Sequence, residues 1–214
     1  MGSSTLSVDC HIINMIMKLQ ELQGVKSHLD AASSIRQVEQ VLRKHGFIEL
    51  GEGAHATVWE VPGKPYVLKL FMSSDQAYLN FVRMTKQNVN PHFPKFRGSP
   101  IPLTDQVHAI RMERLVPFQH NSASALNRGI YALLGLLEHS HRHWESEQEL
   151  AFLSAQEQQD IKLLFKKWPQ LKSAVHLIIQ HLVKHTDKIF LDLHDENIML
   201  RPSGAPVFTD PFAS

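Results

Sequence analysis

Apolar residues recur at helical spacing near the start of the chain and again from residue 125 to 185, and short extended apolar runs lie between these regions and after them. Spacing of three and four residues, as at Ile35, Val38 and Leu42, places apolar side chains on one helix face. This pattern predicts helices at residues 11–23, 33–43, 73–87, 125–138, 155–167 and 171–185. Apolar runs bounded by turn residues predict strands within residues 47–61, 66–71, 107–112 and 190–210. Strands followed by mostly helical sequence predict an α+β fold with a strand-rich N-terminal lobe and a mostly helical C-terminal lobe.

The same pattern suggests how the chain is divided. We expect a helical N-terminal extension at residues 1–46, an N-terminal lobe at 47–116 and an abbreviated C-terminal lobe at 117–214. A chain of 214 residues is long enough for two small lobes.

The composition is that of a globular protein with balanced charge. Hydrophobic residues make up 43% of the chain, and 22 Lys and Arg nearly balance 21 Asp and Glu. This balance argues against nucleic-acid and membrane-surface partners. The single cysteine, Cys10, cannot form an intramolecular disulfide and fits a reducing compartment. Asn14 and Lys18 interrupt the apolar residues near the start, so we expect no signal peptide or membrane span and a cytoplasmic location.

The last predicted hairpin carries three oxygen donors at its ends. Asp192 is followed five residues later by Asn197, and Asp210 comes after the second apolar run. Asp192 can accept a proton from an attacking hydroxyl group. Asn197 and Asp210 offer the hard oxygen ligands that Mg²⁺ takes when phosphates complete its shell. The segment therefore predicts one half of a phosphoryl-transfer site, although an ordinary surface hairpin with acidic ends has the same pattern.

A glycine-containing turn and a lysine in an apolar strand come earlier in the chain. Gly51 and Gly53 allow the backbone to pass closely over a phosphate chain, where a Cβ atom would intrude. Lys69 lies within the run Tyr66-Val-Leu-Lys-Leu-Phe71, where its ammonium group must either reach solvent or meet an anion. Each feature alone is common, but their order along the chain is informative.

This ordered set resembles the protein kinase motifs. Gly51, Gly53, Ala56 and Val58 match the nucleotide-covering loop, with Ala56 in place of its third glycine, and Lys69 matches the phosphate-binding lysine. The resemblance implies that Asp192 is the catalytic base and that Asn197 and Asp210 are the metal ligands. It further implies that Met112 lies behind the adenine, that the backbones of Glu113 and Leu115 bind the base, and that His194 contacts the γ-phosphate.

Three features depart from the kinase pattern. Phe190 and Leu191 stand where His and Arg usually precede the base, and Pro211 and Phe212 follow the metal-binding Asp in place of Phe and Gly. The helix at 73–87 lacks the Glu that pairs with the lysine, and Asp75 is its only acid. Asp75 could replace that Glu, or Lys69 could rely on the nucleotide and Asp210.

More narrowly, the chain resembles the early Ser/Thr protein kinases of short-tailed lytic bacteriophages. The similarity is carried by the Asp192-x-His-x-x-Asn-Ile-Met199 loop and by Thr209-Asp-Pro211. It implies ATP- and Mg²⁺-dependent phosphorylation of host proteins in the bacterial cytoplasm by a monomer or small homo-oligomer. The chain ends four residues after Asp210, so we expect a truncated C-terminal lobe or a minimal kinase.

Three alternatives remain open at the level of sequence. A small-molecule phosphotransferase of the aminoglycoside or choline kinase type often has Asp-Leu-His at the catalytic loop, as at Asp192–His194. A bacterial effector kinase acting inside a eukaryotic host is compatible with the same motifs. A catalytically dead nucleotide-binding module is the third alternative.

Overall fold

The computed structural model describes residues 34–118, 124–140, 143, 145–185 and 187–214. The predicted helix at 11–23 lies outside these residues. The described chain forms two compact units. The first unit comprises the described residues up to Ser74 together with Phe96–Glu113, and the second comprises Asp75–Lys95 and Arg114–Ser214.

The first unit is built on one helix and a five-stranded antiparallel sheet. Its elements are α1 (Ile35–Lys44), β1 (Ile48–Glu52), β2 (Ala56–Glu60), β3 (Tyr66–Met72), β4 (Phe96–Pro102) and β5 (Val107–Glu113). The strand order is β1-β2-β3-β5-β4, so β3 and β5 lie inside the sheet and β1 and β4 at its edges. One side of the sheet packs on α1, where Val38 and Leu42 join Trp59, Leu68 and Leu70 in a buried cluster.

The second unit is mostly helical. Its helices are α2 (Gln76–Gln87), α3 (Ala125–Ser140), α4 (Glu147–Leu150), α5 (Ala155–Lys167) and α6 (Pro169–Lys184). Its short strands are β6 (Val116–Pro117), β7 (Phe190–Leu191), β8 (Ile198–Leu200), β9 (Pro206–Phe208) and β10 (Phe212–Ala213). A single 3₁₀ turn, Asp195–Asn197, precedes β8.

The architecture confirms the predicted α+β class, with a strand-rich part preceding a mostly helical part along the chain. Strand β4 was not predicted. Helix α2 begins three residues later than the predicted 73–87, and its N-cap is Asp75, whose side chain accepts a hydrogen bond from the Tyr78 amide. Among the described helices, none combines the length and the apolar character needed to cross a membrane.

Candidate active site

The three predicted oxygen donors lie on two facing segments of the second unit. Strand β7 pairs with β10 through Leu191 and Phe212, and β8 pairs with β9 through Ile198 and Phe208. Between these two ladders, the six-residue loop 192–197 faces the three-residue segment 209–211. Because the ladders hold both ends, Asp192, Asn197 and Asp210 are confined to one small region.

The Asn197 side chain fixes the 192–197 loop from within. Its amide nitrogen donates to the backbone oxygen of Asp192 at 2.7 Å and lies 3.5 Å from the Asp192 carboxylate. Only the NH₂ end of an amide can donate to a carbonyl oxygen, so the amide orientation follows from this contact. The Asn197 side-chain oxygen is therefore the end available to a metal ion.

Two backbone contacts and one hydroxyl group join the loop to the 209–211 segment. The Asp192 amide donates to the Pro211 oxygen at 2.9 Å. The Thr209 amide and hydroxyl both donate to the Asn197 backbone oxygen, at 2.9 and 3.0 Å. Thr209 is 7% exposed, so its hydroxyl group needs this acceptor. Sequence reasoning placed Thr209 in a motif but gave it no role, because its hydrogen bond depends on the two segments meeting.

His194 binds the same amide group. Its Nε2 atom lies 2.9 Å from the Asn197 amide nitrogen and 3.8 Å from an oxygen of the Asp192 carboxylate. Since the Asn197 nitrogen carries only donors, Nε2 accepts in this contact and the imidazole carries its proton on Nδ1. In this arrangement His194 helps to position Asn197, and its predicted contact with a γ-phosphate stays a prediction.

Helix α2 brings a buried tyrosine close to Asp210. Tyr78 is fully buried, and its pKa is raised well above its ordinary value by burial first and then by the negative charges of Asp210 and Asp75. From the sequence, only acids were considered on this helix, and the phenol of Tyr78 was not identified. The one acid that it named, Asp75, uses Oδ1 to cap the helix, and its role as a partner of Lys69 stays a prediction.

In the first unit, the predicted phosphate-binding residues form a row across the sheet. Gly51 on β1 pairs with Val58 on β2, Val58 pairs with Lys69 on β3, and Lys69 pairs with Ile110 on β5. Cross-strand partners share one face of a sheet, so Lys69 lies on the face opposite Leu68 and Leu70. Lys69 is 7% exposed, as expected for a lysine inside an apolar strand.

Packing within the first unit does not require glycine at position 51 or 53. Neither has a positive φ, and a Cβ atom added at Gly51 would meet nothing within 4 Å. A Cβ atom at Gly53 would lie 3.8 Å from the Ala56 oxygen, to which the Gly53 amide donates. Close approach of a ligand therefore stays the predicted reason for these glycines.

The predicted adenine-binding residues lie where the chain passes from one unit to the other. Met112 and Glu113 end β5 in the first unit, and the second unit resumes at Arg114. Met112 and Leu115 are 3% and 7% exposed. Their roles toward a nucleotide stay predictions.

The donor set fits a magnesium ion that is completed by phosphate and water. Asn197 offers an amide oxygen and Asp210 a carboxylate, both hard ligands. Within the described part of the chain, no group of three or more His, Cys, Asp or Glu side chains is arranged to hold a metal. The protein alone would thus supply few ligands, as is usual for Mg²⁺ bound together with a nucleotide.

No protein-family model and no curated protein matches the sequence. Similar solved structures include a spectinomycin phosphotransferase, APH(9)-Ia, in complex with ADP and spectinomycin, at 14% identity, TM-score 0.39, and coverage of 81% of this chain and 67% of that chain. Aminoglycoside phosphotransferase APH(4)-Ia is similar at 12% identity and TM-score 0.40, over 85% of this chain and 74% of that chain. A thermostable mutant of APH(4)-Ia in its apo form is similar at 11% identity and TM-score 0.38, over 82% and 72%.

Proposed function

We propose that the protein is an ATP- and Mg²⁺-dependent phosphotransferase in which Asp192 accepts the proton of the attacking hydroxyl group. The observation that carries this proposal is the closure of the 192–197 loop on the 209–211 segment. Backbone hydrogen bonds and the Asn197 side chain hold Asp192 and Asn197 beside the two residues that flank Asp210.

Asp192 is suited to act as a base because its backbone is held while its side chain remains accessible. The amide and the carbonyl oxygen of Asp192 are both hydrogen-bonded, yet its side chain is 42% exposed. An acceptor hydroxyl group can therefore reach a carboxylate whose position is already set, and such positioning accounts for much of phosphoryl-transfer catalysis.

The remaining roles follow the motif assignment. Mg²⁺-bound ATP supplies the phosphoryl group. Asn197 and Asp210 would hold the metal, and Lys69 would bind phosphate oxygens under the turn that contains Gly51, Gly53, Ala56 and Val58. Met112, Glu113 and Leu115 would contact the adenine.

For the acceptor, we propose Ser or Thr of host proteins, on the strength of the Asp192–Met199 and Thr209–Pro211 motifs. A small-molecule alcohol is the second candidate, and the Asp192-Leu-His194 sequence favours it. The His194 contact with Asn197 gives that histidine a positioning role under either proposal.

Replacing the base tests the mechanism. We expect Asp192→Asn to lower turnover by about 10²- to 10⁴-fold, the usual effect of losing a positioned general base, and to leave ATP affinity nearly unchanged. Turnover is measured as ADP release, and ATP affinity by calorimetry. Asp195→Asn is the matched control, because Asp195 lies on the same loop and accepts from the adjacent Glu196 amide, a bond that Asn can retain. Full turnover by the Asp192→Asn variant would refute the assignment.

Labelled ATP separates the two acceptor classes. The protein is incubated with γ-³²P-ATP and Mg²⁺, either with a bacterial protein extract or with a panel of aminoglycosides and amino alcohols. Label in protein Ser or Thr supports a protein kinase, and label in the small molecules supports the second candidate. Absence of Mg²⁺-ATP binding by calorimetry would contradict the proposal, whereas binding without transfer to either class would favour a catalytically dead nucleotide-binding module.

A further inference from the structure

The second unit contains a cavity at the far end of the β8–β9 hairpin from the active-site loop. Its volume is about 310 Å³, and its lining includes His92, Lys95, Trp168, Gln170, Arg201 and Ser203. Sites for small molecules begin at about 300 Å³. The lining comes from three segments: the turn after α2, the start of α6, and the turn between β8 and β9.

The electrostatic character of this cavity favours an anion. Lys95 and Arg201 contribute two positive charges, and no carboxylate is among the lining residues. Arg201 is held in place because a guanidinium N–H donates to the Phe93 backbone oxygen at 2.9 Å. A fixed guanidinium group beside a second cation is an arrangement suited to phosphate or carboxylate oxygens.

Trp168 provides a donor that the protein itself does not use. Its indole nitrogen is buried and has no hydrogen-bond partner among the described residues. A buried donor without an acceptor is costly, so a ligand oxygen at this point would remove that cost. Trp168 is also the N-cap of α6, whose first turn receives no side-chain cap, and this adds partial positive charge to the same wall.

His92 provides an acceptor among these donors. It is 2% exposed, and its Nδ1 lies 2.7 Å from the Pro206 backbone oxygen, which can only accept. Nδ1 therefore carries the proton, and Nε2 is left with a lone pair and no hydrogen bond within the described chain. Burial lowers the pKa of His92, the hydrogen bond to Pro206 raises it in part, and the charge of Arg201 lowers it further. The net pKa is lowered, so the ring is neutral at neutral pH.

We propose that this cavity binds a small phosphate, either hydrogen phosphate itself or a protonated phosphate monoester. The negatively charged oxygens accept from Lys95, Arg201 and the Trp168 indole, and the remaining P–OH donates to Nε2 of His92. Sulfate has the same shape and charge but no proton to donate at neutral pH. The neutral histidine therefore selects phosphate over sulfate. This proposal does not depend on phosphotransfer at the active site.

The Trp168 indole signal in ¹H–¹⁵N spectra tests the proposal directly. The chain has three tryptophans, and Trp168→Phe identifies which indole signal belongs to Trp168. Inorganic phosphate at millimolar concentration should move that signal, and sulfate at equal ionic strength should move it at least several-fold less. Glycerol phosphate, added in a third titration at mildly acidic pH, shows whether the cavity also accepts the ester.

Two charge variants make the test specific to the cavity. Lys95→Gln should weaken phosphate binding by about tenfold, the usual effect of losing one charge-assisted hydrogen bond. Lys162→Gln removes an exposed charge of α5 outside the lining and should leave binding unchanged. A Trp168 signal that does not respond to phosphate in the unmodified protein overturns the proposal. So does an equal response to sulfate, or an equal loss in both lysine variants.

Discussion

At the scale of single residues, the candidate site depends on one amide group. Asn197 holds Asp192 through its nitrogen, receives Thr209 on its backbone oxygen and contacts His194. A carboxylate has nearly the same shape but only acceptor atoms at neutral pH. The spacing of Asn197 from Asp192 was visible in the sequence. The backbone geometry around Asn197 determines which end of its amide group faces the loop.

We therefore expect Asn197→Asp to damage both the loop and the reaction. The new carboxylate would place an oxygen against the Asp192 carbonyl oxygen, where a donor now lies 2.7 Å away. The lost hydrogen bond and the repulsion should lower the free energy of unfolding by about 1–3 kcal/mol, measured by urea titration, and should reduce turnover at least tenfold. Glu196→Gln on the same turn is the control and should change neither quantity. Unchanged stability and turnover in the Asp variant would show that the amide is dispensable.

At the scale of elements, the contact between α3 and α5 in the second unit depends on a glycine. A Cβ atom added at Gly129 on α3 would lie 2.7 Å from the Asp160 backbone oxygen on α5. The neighbouring Arg128 binds the Asp160 carboxylate through two nitrogens, at 2.8 and 3.2 Å. The Asp160 carboxylate also accepts from Gln156 at 3.1 Å. The absence of a side chain at Gly129 therefore allows these two helices to meet.

Alanine substitutions at two glycines of α3 test this contact. Gly129→Ala must push α5 away or distort α3, and overpacking of this kind costs about 1–3 kcal/mol of unfolding free energy. Gly135→Ala is the matched control, because nothing lies within 4 Å of its added Cβ atom. The better helix propensity of alanine should make the control neutral or more stable by up to about 1 kcal/mol. The melting temperatures of the two variants measure this difference in stability. Equal changes in both variants would contradict a packing role for Gly129.

Regular elements were predicted well where the apolar pattern was long, and poorly where turn residues interrupt it. Helices α1, α3, α5 and α6 were predicted within a few residues. Strand β4 was not predicted, and its Gly98, Pro100 and Pro102 are residues typical of turns. It lies at the edge of the sheet, where proline is tolerated, and its pairing with β5 shifts between Arg97 and Ile101.

At the scale of the whole molecule, the chain passes between the two units three times, after Ser74, Lys95 and Glu113. Helix α2 belongs to the second unit, where Phe81 packs edge-on against Phe93 and against Phe212. Phe212 also packs against His181 of α6, with ring centroids 5.2 Å apart. Residues far apart in sequence thus form one aromatic cluster.

His181 should make the stability of the protein depend on pH. Burial first, and then the charges of His185 and Lys184, lower the pKa of His181 from 6.5 to about 4. Between these two values the unfolded chain binds a proton that the folded protein does not bind. The free energy of unfolding should therefore fall as the pH falls from 6.5 to about 4, by up to about 3 kcal/mol, and this effect should level off below that range.

Urea unfolding at several pH values measures this effect. His181→Leu should remove this part of the decrease in unfolding free energy at acidic pH, because leucine binds no proton in either state. His55→Gln, at an exposed position of the glycine turn, is the control and should keep the full loss. An unchanged pH dependence in His181→Leu would assign the acid sensitivity to other groups.

The sequence by itself determined the chemical groups and their order: a glycine turn, a lysine in a strand, and then an acid, an amide and a second acid around the last hairpin. It also determined the long helices, because the period of apolar residues records which face of an element is buried. Only the tertiary structure decided that Thr209 hydrogen-bonds to Asn197, that the charge of Asp210 acts on the buried Tyr78, and that His92, Trp168 and Arg201 line one cavity. These contacts join segments distant in the chain, and local periodicity carries no information about which distant segments will pack together.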